Sequence, residues 1–381
     1  MKADIALKIQ RRCYFREAVD EIGVYQRLHD RAGICPEIIA LRESFLHDGH
    51  VCMAFEKHGN SLEPVLDRGP ISPSRVQRVT RQIVRALTHL HRPGYTHTDV
   101  KPGNILYSAR NGDARLADLG DAEDRLRQGT IYGTREYTSP EVILGAPLTS
   151  ALDIWSLGCT VFEMFTGEYL FDPRAAAARK YREFSEEGSE IPLAASVLQD
   201  NADEEAEQLS EGQVIAQKYR LLQALGRGRF STVWAAEQLS ERSLDRSDEL
   251  LRSNVCLNGS RRKKTLAGNR AWRAQKGADD LVDLALHYEQ LLLMSALCGP
   301  FPGALVTSAR YRASYFEEDG DLRFWPVVER ISLGQVLARK TGLKGGALAR
   351  AVDFLRSCLT IDPASRITAA AALTHPWLAP A

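Results

Sequence analysis

The chain has 381 residues, 44% hydrophobic and 26% charged, with 49 basic side chains balanced by 49 acidic ones. This is ordinary globular composition for one large or two medium domains, and zero formal net charge argues against a general polyanion binder. No apolar run approaches the roughly 20 residues needed to cross a bilayer and the N-terminus has no signal-peptide core, so the expected setting is soluble, cytoplasmic or nuclear, without membrane or direct nucleic-acid contact. The seven cysteines (Cys13, Cys35, Cys52, Cys159, Cys256, Cys298 and Cys358) are scattered without a C-x-x-C pair, and read as reduced, mostly buried thiols.

In chain order, "ADIALKIQ" alternates like a strand, and "EAVDEIGVYQRL" carries Ala18, Ile22, Tyr25 and Leu28 at helical spacing. "HVCMAFE" reads as a short buried strand, and "SRVQRVTRQIVRALTHLHRPG" as an amphipathic helix closed by Pro-Gly. After residue 172 the texture changes. "SEEGSE", "DNADEEAEQLSEG", "SERSLDRSDE" and "GSRRKK" are polar and aperiodic, as solvated linkers are. One island of order interrupts them at about 218–238. From about 284 helical patterns resume in "LALHYEQLLLMSALCG", "GALARAVDFLRSCL" and "TAAAALTHPWL". The expected organisation is 1–172, a polar insertion at 173–283, and 284–381.

The most informative stretch is "HTDVKPGN", residues 97–104. An aspartate, a lysine two later and an asparagine three beyond suit phosphoryl transfer: the carboxylate orients and deprotonates a hydroxyl, the lysine neutralises transferring charge, and the amide holds a metal. Alone the pattern is weak, since a polar surface turn would carry it too. "LADLGDAE" follows, with Asp118 before a glycine in a setting for magnesium ligation. Then come "GTREYTSPE" (133–141), "DIWSLGCTVFEMFTGEYLF" (153–171) and "DPASRITAAAALTHPWL". Five such motifs in order leave little room for chance.

Together these motifs resemble the eukaryotic protein kinases. The resemblance implies an α+β, two-lobed fold, with a small β-rich N-terminal lobe and a larger helical C-terminal lobe. It implies transfer of the ATP γ-phosphate to serine or threonine hydroxyls, with Mg2+. Asp99 would orient the nucleophile, Lys101 would stabilise transferring charge, and Thr134 would bridge the two. Asn104 and Asp118 would hold magnesium. "IALKIQ" resembles the strand with the nucleotide-binding lysine: Ala6 would cover the base and Lys8, on the same face, would reach the phosphates. Glu21 matches the lysine's partner, with Glu17 one turn earlier as the competitor. Phe55 falls at the gatekeeper position, and the backbone of Glu56 to His58 would bind adenine edges. Arg366 would pair with Glu141. His97, Trp155 and Cys159 read as buried supports.

Within that family, "HTDVKPGNIL", "LADLGDA", "TGEYLF" and "LCGPFPGALV" resemble the SR-protein kinases. That likeness implies protein substrates rich in arginine and serine; a monomer is the expected state. Thr98 stands where most kinases carry the arginine that pairs with a phosphorylated activation loop. Activity independent of such phosphorylation is therefore expected. Leu119 replaces the usual phenylalanine, and Thr138 stands where close relatives carry arginine. The rival from another class is a pseudokinase scaffold with impaired ATP binding, favoured by the chain order described next. The "RRKK" run at 261–264 reads as solvated surface.

"GRGRFSTV" at 226–233 resembles the kinase glycine-rich loop, with Gly226 and Gly228 permitting a tight turn near phosphates, Phe230 capping it and Val233 over adenine. Strand-like sequence flanks it, "KYRLLQAL" before and "TVWAAEQ" after. It follows Lys8 by more than two hundred residues, where a kinase would place it before. Three arrangements compete: return in cis, pairing with a second copy, or a remnant that packs nowhere useful. Flexible segments of roughly 45 residues on each side reach about 35–40 Å, which permits closure in cis. Without the hairpin, the lysine strand would be an exposed sheet edge.

Overall fold

The computed structural model describes residues 4–173, 209–227, 231–239, 278–323 and 330–379. Gly228, Phe230, Cys256 and the basic run at 261–264 lie outside the described residues. The chain divides into two units. The first comprises Met1–Gln26, Ile39–His58 and Pro192–Val282, and the second Arg27–Ile38, Gly59–Ile191 and Asp283–Ala381. The architecture is α+β and two-lobed, with one smaller β-rich unit and one larger helical unit.

The β-rich unit is built on β1 (Asp4–Gln10), β2 (Leu41–His47), β3 (His50–Glu56) and the late strands β7 (Val214–Ile215), β8 (Tyr219–Arg227) and β9 (Ser231–Gln238). They form one antiparallel sheet in the order β2-β3-β1-β9-β8-β7. The displaced hairpin therefore pairs with the lysine strand of the same chain. Lys8 stands opposite Val233, and Ala6 opposite Ala235. Alternation along β1 sends Ile5, Leu7 and Ile9 to one face, where they pack with Tyr219, Leu221, Trp234 and Ala236. Burying β1 between β3 and β9 removes the edge it would otherwise present.

The sheet also curls. Phe45 on β2 stacks on Tyr219 of β8 with ring centroids 5.8 Å apart, although three strands lie between them in the order. Glu43 accepts from Lys218 Nζ at 2.6 Å and from the Tyr219 hydroxyl. The segment that packs into the sheet thus begins earlier than its glycine pattern suggests: Leu209 and Ala216 pack against the core and Ile215 is buried in it. Short β7 carries no readable periodicity, which is why it escapes detection in the sequence.

Helix α1 (Phe15–Ala32) buries Ala18, Ile22, Tyr25 and Leu28, the positions its spacing predicts. Glu17 in its first turn and His29 and Arg31 in its last complement the helix dipole. Gly33, at φ +77°, donates to the His29 carbonyl at 2.8 Å and ends it.

The helical unit contains a three-stranded sheet, β4 (Asn60–Ser61), β5 (Ile105–Ser108) and β6 (Asp113–Leu116), and a set of helices. After short α2 (Glu63–Leu66) comes α3 (Pro73–His91), which buries Val76, Val79, Ile83, Leu87 and Leu90. Then follow α4 (Pro140–Leu144) and α5 (Ala151–Thr166), whose residues from Leu152 onward are all buried. Among the described residues the further α-helices are α6 (Ala278–Cys298), α7 (Gly303–Ser308), α8 (Arg312–Tyr315), α9 (Leu333–Thr341), α10 (Gly345–Cys358) and α11 (Ala369–Ala372). Helix α6 opens at Ala278, inside the stretch whose composition reads as linker.

Trp155 and Cys159 are core residues at 0% and 2% exposure. Arg366 donates to both carboxylate oxygens of Glu141 at 2.6 and 2.9 Å, with both side chains fully buried and the guanidinium over the Trp155 ring. Cys52, Cys159 and Cys358 are buried free thiols, whereas Cys13 is exposed, because the short turn it occupies buries nothing.

Candidate active site

In the β-rich unit, Lys8 Nζ lies 3.0 and 2.8 Å from the two carboxylate oxygens of Glu21 on α1. The competition with Glu17 ends there, because a residue one turn earlier sits about 5 Å further along the helix axis. Lys8 and Ala6 share the face opposite the apolar cluster, both half-buried. Residues directly opposite in an antiparallel pair share a face, so Val233 joins Lys8, and Gly226 joins Val233.

Gly226 differs from its sequence reading. It lies inside β8, is not among the positive-φ glycines, and a Cβ built there meets nothing within 4 Å. Its contribution is bare space on the lysine face, rather than a tight turn. Glu56 is pinned to Ala40 twice: its N–H donates to the Ala40 carbonyl at 3.2 Å and its Oε1 accepts from Ala40 N at 3.3 Å. The Glu56 donor is therefore engaged within the chain. His58 follows β3 in an irregular, half-buried position.

The helical unit carries the other predicted residues. Thr134 Oγ1 donates to Asp99 Oδ1 at 2.8 Å and accepts from Lys101 Nζ at 2.6 Å, while Lys101 Nζ lies 2.8 Å from Asp99 Oδ2. Asn104 Nδ2 donates to the Asp99 carbonyl at 2.8 Å and to Asp99 Oδ2 at 3.0 Å. Asp99 is thus held by three neighbours, each fixing one direction of its carboxylate.

The backbone beneath is strained and clamped. Thr98 adopts φ +73°, which is costly for a β-branched residue and persists only when its surroundings impose it. Asp153, fully buried on α5, imposes it by accepting from His97 N and Thr98 N, both at 2.8 Å, and His91 Nε2 lies 2.8 Å from the same carboxylate. His97 is wholly buried: its Nε2 faces the Ala117 carbonyl at 3.0 Å and its Nδ1 accepts from Asp99 N at 3.3 Å. Both nitrogens are engaged in holding the loop, as its reading as a support expects. Gly133 must be glycine, since a Cβ there would come within 2.7 Å of the Thr98 carbonyl.

Asp118 sits at φ +63°, exposed, with Leu119 fully buried behind it. Ala117 N donates to the Asn104 carbonyl at 2.9 Å, which ties the two expected metal ligands together through backbone. With its amide nitrogen turned to Asp99, Asn104 presents a carbonyl oxygen. A carboxylate and an amide oxygen are hard donors suited to Mg2+, which takes few protein ligands and completes its shell with phosphate and water. No group of three or more histidine, cysteine, aspartate or glutamate side chains placed to hold a metal ion occurs among the described residues.

One feature has no signal in the motifs. Glu163 on α5 accepts from the Tyr137 hydroxyl at 2.6 Å, and burial, reinforced by Glu63, Asp67 and Glu136, pushes its carboxyl up to about 7. Only the fold brings these four acidic residues from separate stretches into one neighbourhood.

Comparison with known proteins bears on the family. The protein kinase domain family matches residues 3–217, more than half of the chain. The serine/threonine-protein kinase prp4 of Schizosaccharomyces pombe is 34% identical over 168 residues, covering 42% of this chain and 35% of that protein. The serine/threonine-protein kinase Doa of Drosophila melanogaster is 32% identical over 181 residues, 41% of this chain and 22% of Doa. A dual specificity protein kinase YAK1 homolog of Arabidopsis thaliana is 35% identical over 173 residues, 42% and 17% respectively. The chain belongs to the protein kinase family. It spans about a third or less of the length of these relatives.

Proposed function

We propose that the chain is a serine/threonine protein kinase that transfers the γ-phosphate of Mg-ATP to arginine/serine-rich protein substrates, as a monomer in the cytoplasm or nucleus. The observation that carries this reading is the Asp99–Lys101–Thr134 cluster, closed by contacts of 2.6–2.8 Å on a strained backbone that Asp153 holds in place. Asp99 orients the acceptor hydroxyl and takes its proton as the oxygen–phosphorus bond forms and the bond to the β-phosphate oxygen breaks. Lys101 offsets charge on the phosphoryl oxygens. Lys8, steadied by Glu21, holds the α- and β-phosphates, and the bare strand at Gly226 beside Val233 leaves room for them. Ala6 and the Glu56–His58 backbone take the adenine end. Asn104 and Asp118 hold magnesium, which when bound neutralises phosphate charge.

The arginine preference draws support from Glu163. Its raised pKa comes first from burial and then from the neighbouring charges of Glu63, Asp67 and Glu136. A basic substrate side chain would relieve that repulsion.

The test is ATP-dependent phosphorylation of a serine-arginine peptide, beside Asp99→Ala and the double variant Gly226→Val/Gly228→Val. The reading expects turnover by the wild type and loss in both variants. A wild type without Asp99-dependent turnover on basic or neutral peptides would overturn it. If Asp99→Ala alone fails, the hairpin is a bystander to catalysis.

A further inference from the structure

The polar residues that α6 turns toward the segment after Thr134 are not used by the chemistry above. Gln290, with no exposed surface, donates from Nε2 to the Arg135 carbonyl at 2.6 Å. Asp283, two turns earlier on the same helix, accepts from Arg135 Nη2 at 2.8 Å. One helix therefore holds both the backbone and the side chain of Arg135. Arg135 directly follows Thr134, whose hydroxyl bridges Asp99 and Lys101. On the other side of Thr134, Gly133 packs against the Thr98 carbonyl so closely that no Cβ fits. Thr134 is bracketed between the catalytic loop and α6.

We propose that Gln290 and Asp283 are positioning residues for phosphoryl transfer, acting through Arg135 to place the Thr134 hydroxyl between Asp99 and Lys101. The proposal rests on the kinase reading of that cluster.

The local energetics support a role beyond stability. Gln290 Oε1 and Arg135 Nη1 are buried without a hydrogen-bond partner among the described residues, at about 1–3 kcal/mol each. An apolar side chain at 290 would avoid part of that cost. Departures of this kind concentrate where geometry matters more than stability. His287, one turn before Gln290 on the same helix, is held to about 4 by burial and by Arg135, so the guanidinium is balanced by Asp283 and faces no second cation.

Gln290→Leu keeps the side-chain volume and removes the hydrogen bond, and Asp283→Asn keeps the shape and removes the charge. In the full chain each is expected to lower kcat on a serine-arginine peptide roughly tenfold, the scale of a sub-ångström misplacement, with the KM for Mg-ATP unchanged. In a Thr134→Ala background neither should lower kcat further. Hydrogen exchange is the second readout: amides of 134–138 should exchange faster in both variants, with α5 unaffected. Unchanged kcat and unchanged exchange at 134–138 overturn the proposal. So do losses that persist undiminished beside Thr134→Ala, or faster exchange spread through α5, which marks a structural role only. Should the wild type lack Asp99-dependent turnover, the kinase reading itself fails, and exchange at 134–138 alone decides whether α6 controls this segment.

Discussion

The hydroxyl of Thr98 donates to the carbonyl oxygen of Asp121 at 2.9 Å, so the loop carrying Asp99 is tied directly to the segment that carries Asp118. An arginine at 98 would need a phosphate to anchor it; the short hydroxyl reaches its partner within the protein. Phosphatase treatment is therefore expected to leave peptide turnover unchanged. Thr98→Val removes one buried hydrogen bond, about 1 kcal/mol, and should lower kcat roughly fivefold. A dephosphorylated enzyme that loses its activity would refute this account.

The Glu141–Arg366 pair is fully buried and bidentate, with further donation from Arg366 to the Thr360, Ala151 and Ile361 carbonyls. Removing one partner strands a charge in the core. Glu141→Gln is expected to cost about 3–5 kcal/mol, on the order of 10 °C in Tm by calorimetry. Neither residue touches the Asp99 cluster, so activity well below the melting range should survive.

Glu163 gives a pH dependence with a defined sign. Burial raises its folded pKa to about 7, above the ordinary carboxylate value of the unfolded chain. The group therefore favours the fold fully below the unfolded value, and that contribution is lost as pH rises through about 7. Glu163→Gln should raise Tm at pH 8 relative to wild type and change it little at pH 5. Conversely, the wild-type KM for an arginine-rich peptide should fall as pH rises from 6 to 8, and the Gln variant should lose that trend. Parallel KM profiles would remove Glu163 from substrate recognition.

Trp234 lies at 4% exposure between β1 and β8, in the cluster with Leu7 and Leu221. Truncation to alanine is expected to cost about 3–5 kcal/mol. Because it loosens β9 from the lysine strand, it should also weaken the Tm increase produced by Mg-ATP. An unchanged ATP-induced shift would mean that the hairpin is not needed for nucleotide binding.

Much of this protein can be read from local pattern. Alternation in "ADIALKIQ" already places Ala6 and Lys8 on one face, and the 3.6-residue period of α1 already names Ala18, Ile22, Tyr25 and Leu28 as its buried stripe. "HTDVKPGN" concentrates Asp99, Lys101 and Asn104 within six residues, so chain connectivity alone keeps them close. Contacts at long separation leave no such trace. Whether Val233 meets Lys8 depends on strand pairing across 225 positions, which chain entropy permits but does not select. The burial of Trp234, Leu221 and Ile5 in one cluster selects it. Equally, the left-handed backbone of the Thr98 loop comes from Asp153 on a distant helix, and the support of Thr134 from Gln290 and Asp283. Sequence by itself determined most of the long elements and named the candidate reacting groups, because those depend on neighbours along the chain. Tertiary structure decided which strand covers Lys8 and what holds Asp99 and Thr134 in place, because those depend on packing and hydrogen bonds between residues far apart in sequence.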